Sequence, residues 1–179
     1  MLTPLAPANG NVILPLADAR VHLNLTADDS FHDAAVTALR DAAIDWVERY
    51  TGKALTRRLF EWTLDGFTSV IRLPIGPVVS TGSAISFYNS NGTDTPLAAG
   101  DWYFGRDSVS AAHGKTWPSA SGLADGVRIT FTAGYATAAD IPPMLLAAVK
   151  LAMTAMFEDR ATPDFSGAMR CADSYRPPV

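Results

Sequence analysis

Asp28, Asp29, His32 and Asp33 form the one compact polar constellation of this chain. On a helix, spacings of three and four residues bring His32 beside Asp28 and Asp29, where carboxylate oxygens and an imidazole nitrogen could share a cation. The set lacks a second histidine or a cysteine, and acids at the start of a helix are accounted for by the positive end of its dipole. It therefore reads as helix-start polarity, and no metal or other cofactor is expected. His22 and His113 stand alone and read as surface or half-buried residues. Glu61 and Asp65 could act as an acid and base couple, but lone surface carboxylates usually only solvate. No G-x-S-x-G elbow, H-E-x-x-H helix, G-x-G-x-x-G turn or Walker loop occurs. No catalytic centre is found, and the chain is not expected to be an enzyme.

Trp46, Tyr50, Phe60 and Trp62 could stack bases, but stacking platforms sit beside basic funnels. The net charge is −4, and Lys53, Arg57 and Arg58 are the single basic cluster, placed where cations suit a helix end. These aromatics, and Met144, Met153 and Met156, read as core. Charged residues make up only 18% of the chain, below the quarter typical of soluble domains, so part of the surface is expected to lie against copies or partners. A neutral surface rich in Ser, Thr, Gly and Asn is the alternative. One cysteine, Cys171, excludes an internal disulfide and suits a reducing cytoplasm. The start lacks the basic region and long apolar run of a signal peptide, so the chain is expected to stay in the cell that makes it.

The elements that must position these residues follow from periodicity. Residues 1–14, with two prolines and Asn9-Gly10, read as a flexible arm. Pro15 opens a short helix from Leu16 to about Leu23. Thr26 and Asp29 make a capping box for a long helix whose apolar positions Phe31, Ala35, Ala38, Leu39, Ala42, Trp46, Val47 and Tyr50 form its buried face, with Gly52 as the left-handed stop. Residues 15–55 are thus helical and 59–132 β-rich. Strands are expected at Phe60–Leu64, Val70–Leu73, Ala84–Tyr88, Trp102–Phe104 and Val127–Thr132, with a hairpin turn at Asn89-Ser90-Asn91-Gly92. The prolines of Leu73-Pro74-Ile75-Gly76-Pro77-Val78 make that stretch irregular, and 108–126 reads as a mobile loop broken by Trp117-Pro118. Asp140 caps a helix over 140–160 with Pro142 and Pro143 in its first turn. Its stretch Met144–Phe157 is apolar almost all round and too short to span a bilayer, so it is expected between other elements or at a subunit interface, with Leu145, Val149, Ala152 and Met156 facing the first helices. The predicted bundle core is Trp46, Tyr50, Leu145, Val149 and Met156. The tail, 161–179, has no period and reads as extended until a partner orders it, so that its deletion would spare the fold. The fold class is α+β: a small bundle of two N-terminal helices and one C-terminal helix, with a β-rich insertion, in a single domain over 1–179.

Several fragments in order carry a resemblance. Trp46-Val47-Glu48-Arg49-Tyr50-Thr51-Gly52-Lys53-Ala54-Leu55, Leu64-Asp65-Gly66-Phe67, Leu73-Pro74-Ile75-Gly76-Pro77-Val78, Trp117-Pro118, Phe131-Thr132-Ala133-Gly134-Tyr135, Ile141-Pro142-Pro143 and Phe157-Glu158-Asp159-Arg160 resemble the head-tail connector (adaptor) proteins of long-tailed phages and gene transfer agents. The resemblance spans residues 16–160. It implies a structural neck protein that forms a ring of twelve copies, docks on the portal and offers its far side to the head-closure (stopper) protein. DNA would pass through the channel without specific binding, no membrane is involved, and the chain would await assembly in the cytoplasm of the producing bacterium. The family's mode places portal contact on the C-terminal segment, where Phe165, Tyr175 and Arg176 are the candidate anchors. A homo-oligomeric interaction module of unrelated cellular function is the alternative.

Overall fold

The structure, a computed structural model, describes residues 1–26, 30–120 and 122–176. The capping box of Thr26 with Asp29, and the Asp28 and Asp29 part of the polar constellation, lie outside the described residues. The chain forms two compact units, one of residues 1–7 with 57–134, the other of 8–56 with 135–179. The class is α+β, as the periodicities indicate.

The first unit is all antiparallel strand. β1 (Leu2–Pro4), β2 (Arg58–Leu64), β8 (Val127–Ala133), β4 (Val78–Tyr88) and β5 (Asp94–Pro96) lie in the spatial order β1-β2-β8-β4-β5, and β3 (Val70–Arg72), β7 (Ser108–Ala111) and β6 (Trp102–Phe104) form a second sheet, β3-β7-β6. The central strand β8 shows why: Val127, Ile129, Phe131 and Ala133 are buried while Arg128, Thr130 and Thr132 alternate outward. Phe60 faces Phe131 across the β2–β8 ladder with ring centroids 5.9 Å apart. Asn89 closes the β4–β5 hairpin, its Oδ1 accepting the N–H groups of Asn91 and Thr93.

Three expectations change here. The N-terminal arm is ordered, since β1 pairs with β2 and the Met1 ammonium donates to the Thr63 carbonyl at 2.6 Å. Strand β4 begins at Val78 and not at Ala84, because a bulge between Val79 and Ala84, with Gly82 at φ +75°, carries it past the break in pairing. The stretch 108–126 contains strand β7, whose Val109 is fully buried although its neighbours are small and polar.

The second unit is helical: α1 (Gly10–Ile13), α2 (Leu16–His22), α3 (Asp33–Thr51), α4 (Pro143–Glu158) and α5 (Ser166–Ala172), with 3₁₀ turns before α3 and α4 and after α5. Gly52 at φ 62° ends α3, its N–H donating to the Glu48 carbonyl at 2.9 Å. The turn before α4 is closed by Asp140, which accepts the Thr137 N–H and hydroxyl. Thr137 therefore caps this turn, with Asp140 as its reciprocal capping-box partner, and α4 itself starts at Pro143 instead of being capped by Asp140.

The buried face of α3 also differs from the expected one. Val36, Arg40, Ala43, Ile44, Val47, Glu48 and Thr51 point inward, whereas Phe31, Ala35, Ala38 and Ala42 are exposed. The Arg40 guanidinium, only 4% exposed, donates to Asn11 Oδ1 at 2.6 Å, the Leu14 carbonyl at 3.3 Å and Asp41 Oδ1 at 2.9 Å. A Cβ at position 10 would overlap the Asp41 carboxylate and lie 2.5 Å from Arg40 Nε. Gly10 thus lets α1 sit against the guanidinium. Gly10→Ala is expected to destabilise the chain by about 1–3 kcal/mol, seen as a lower midpoint in urea with an unchanged slope. A midpoint equal to that of the natural chain would show that Arg40 moves aside freely.

Candidate functional site

Among the described residues no group of three or more His, Cys, Asp and Glu side chains lies close enough to hold a metal. Asp33 is held in an ion pair by Arg20 of α2. His22 Nε2 lies 3.0 Å from the Lys150 carbonyl and 2.8 Å from Thr154 Oγ1, tying α2 to α4. His113 is exposed. Asp65 accepts the Asp125 N–H at 3.0 Å and so closes a loop.

A polar and aromatic constellation lies where the tail meets α3. Trp46 stacks on Tyr50 at 5.1 Å and on Phe165 at 4.6 Å, making a three-ring column. The Tyr50 hydroxyl donates to Asp173 Oδ1 at 2.5 Å, and the Arg176 guanidinium lies 4.8 Å from the centre of the Tyr50 ring. The hydrogen bond to Asp173 is the largest cause raising the Tyr50 pKa above 10.0, followed by burial. Burial first, then the neighbouring Tyr175, raises Tyr135 in the same way. Ala168 and Ala172 are buried against the helical core.

The tail is therefore folded from Ser166 to Tyr175 instead of extended. Its helix escapes periodicity because its buried face is made of two alanines. Local carboxylates shape the approach: Asp159 Oδ1 accepts the Ala161 and Thr162 N–H groups, and Asp164 Oδ1 accepts that of Ser166. Hydrogen bonds from Thr162 and from Ser166 hold these two carboxyls below the usual aspartate range.

Of the residues expected in the bundle core, Leu145 and Val149 are buried. Trp46 and Tyr50 are half-buried and pack on the core from its flank, and Met156 is half-exposed near the end of α4. Phe165 is engaged by Trp46, Arg176 is exposed on its outer side, and Tyr175 is half-buried. The stacking set Trp46, Tyr50, Phe60 and Trp62 is divided between the two units, and Phe60 is sealed against Phe131.

Neither a family model nor a curated protein matches the chain. Solved structures do. A chain in the neck of an empty gene transfer agent particle, computed with C6 symmetry, is 32% identical, with all of this chain and 96% of that one aligned at a TM-score of 0.82. A chain of the virion of a native gene transfer agent particle is 31% identical at 0.80, and one in the neck of a native particle, computed with C12 symmetry, is 30% identical at 0.77, both with the same coverage. The chain belongs to the head-tail connector family of phages and gene transfer agents. The match reaches both ends of this connector, including the tail helix that periodicity misses.

The tail contacts predict a definite pH response. Protonated Tyr50 is favoured by folding, so its contribution is present below pH 10 and lost as pH rises through its raised value. Asp159 and Asp164 contribute above the unfolded carboxylate range and lose that contribution as pH falls through their lowered values. Deleting residues 164–179 is now expected to lower the melting temperature, and Phe165→Ala to cost about 1–3 kcal/mol. Thermal melts followed by circular dichroism across this pH range check both. An unshifted melting temperature in the deletion would mean the tail adds nothing to the helical unit.

Proposed function

We propose that the chain is a structural protein of the particle neck, assembled as a ring of twelve copies between the portal and the head-closure (stopper) protein. The observation that carries this reading is end-to-end similarity to a chain of the gene transfer agent neck, at 32% identity. The C6 and C12 symmetries used for those necks support a ring of copies. Such a role needs positioning and no covalent chemistry. The chain folds in the cytoplasm of the producing bacterium and enters the particle during assembly.

Charge distribution supports a channel role. The helical unit carries twelve Asp and Glu against eight Lys and Arg, whereas the β unit carries six of each. All of the net negative charge thus falls in the helical unit, and a channel wall formed by that unit would repel phosphate and let duplex DNA slide past. Among the described residues no helix is long and apolar enough to cross a membrane. Portal contact falls on the C-terminal segment, whose Ser174 and Arg176 are exposed while Phe165 anchors the segment to Trp46.

Mixing the purified chain with the portal of its own particle and imaging the product by electron microscopy tests the proposal. A ring of twelve copies stacked on the portal is expected, and Arg176→Glu should weaken portal binding by about tenfold. Portal that stays bare at high chain concentration would overturn the neck reading. Undiminished binding by Arg176→Glu would move the contact away from the tail.

A further inference from the structure

Helix α4 has only Lys150 and Thr154 as polar side chains between Pro143 and Phe157. One side of it is covered: Leu145, Ala148, Val149, Ala152 and Met153 are buried. The other side holds Met144, Ala147, Leu151 and Ala155 at spacings of three and four, a single uncharged strip about 16 Å long. Met144 is 48% and Leu151 41% exposed. Beside the strip runs a groove of about 350 Å³ between α4 and α5, with Leu151, Ala155 and Gly167 in its lining and three acids, Glu158, Asp159 and Asp164, against one cation, Arg170.

We infer that this strip and groove are where a second copy of the same chain docks, forming the lateral contact of the ring. The inference rests on the ring reading above and specifies which surface closes it. In a ring with one chain per repeat, each contact joins two different faces, and a groove with three acids to one cation is best complemented by a face carrying cations and apolar side chains. The chain supplies such faces: Arg72 and Val70 are both exposed on one side of β3, and Arg57 and Leu59 are exposed at the start of β2. Surface apolar residues on a monomer are usually scattered singly, whereas this strip is continuous and adjoins a groove.

Particles are purified from cells producing the natural chain, Leu151→Glu, Met144→Glu, Glu158→Arg or Val21→Glu, and the connector is quantified against the capsid protein. Each altered side chain in the strip or rim is solvent-accessible, so the soluble chain should keep its circular dichroism and melting temperature. Both strip variants and Glu158→Arg should lower connector incorporation by at least about tenfold, because a carboxylate in an apolar contact or a cation facing cations is costly. Val21→Glu, on an exposed valine of α2, should incorporate normally. Folded strip variants that incorporate like the natural chain would overturn the inference. A natural chain absent from particles would instead remove the neck reading. The occupant is identified with p-benzoylphenylalanine at Ala147, on the strip's edge: irradiated particles should give covalent dimers of this chain, and cross-links only to another protein would overturn the assignment to a second copy.

Discussion

A buried guanidinium organises the helical unit. Arg40 is nearly sealed from water, and a charge in that position is tolerated only when its donors are met. The acceptors come from Asn11, the Leu14 carbonyl and Asp41. Two of the three belong to α1 and the residue that follows it, so satisfying Arg40 fixes where α1 lies along α3. It also fixes the rotation of α3 about its own axis. Two further polar residues on the inward face reinforce that rotation. Glu48 accepts the Leu55 N–H at 2.7 Å and so folds the chain leaving α3 back on itself, and the Thr51 hydroxyl donates to the Val47 carbonyl at 2.7 Å.

With Arg40 inward, Trp46 and Tyr50 come to the flank of α3 instead of its centre. A flank aromatic offers one face to the core and one to whatever arrives next, and here the arrival is the C-terminal segment. Phe165 extends the column, Asp173 accepts a hydrogen bond from the Tyr50 hydroxyl, and Arg176 covers the ring. Stacked pairs of this kind add about 0.5–1.5 kcal/mol beyond burial, enough to hold a short helix that could not form alone. The tail's order is therefore a consequence of how α3 is turned, and that turn is set at Arg40.

The same residues explain what sequence reasoning could read. Strand β8, the Gly52 stop, the Asn89 turn and the apolar α4 are legible because each follows one local rule without competition. The inward face of α3 is hidden, because Arg40, Glu48 and Thr51 look like solvent residues and the exposed Ala35, Ala38 and Ala42 look like core. Only hydrogen-bond partners distant in sequence make those polar groups buriable. Strands β1 and β7 are short and carry Pro4 or serines, so their pairing is decided by the strands beside them. Helix α5 presents alanines where a periodic signal needs larger side chains. Of the tail site, Phe165, Tyr175 and Arg176 are visible as interface-type residues, but Asp173 and the Trp46–Tyr50 receptor are defined only by tertiary packing.

In the proposed ring, any approach of one acidic helical unit to another would be repulsive and would have to be offset locally. Charges farther apart than about 8 Å are largely screened at physiological salt, so the cost concentrates where helical units approach one another. An uncharged strip on α4 lowers that cost, since it lets two copies meet over a surface that adds no like charge. The acidic rim of the groove gains most from facing the β unit, whose six cations balance its six anions. A head-to-tail contact of helical unit on β unit therefore satisfies both the charge pattern and the closure of a ring, whereas helix-on-helix pairing would set acid against acid.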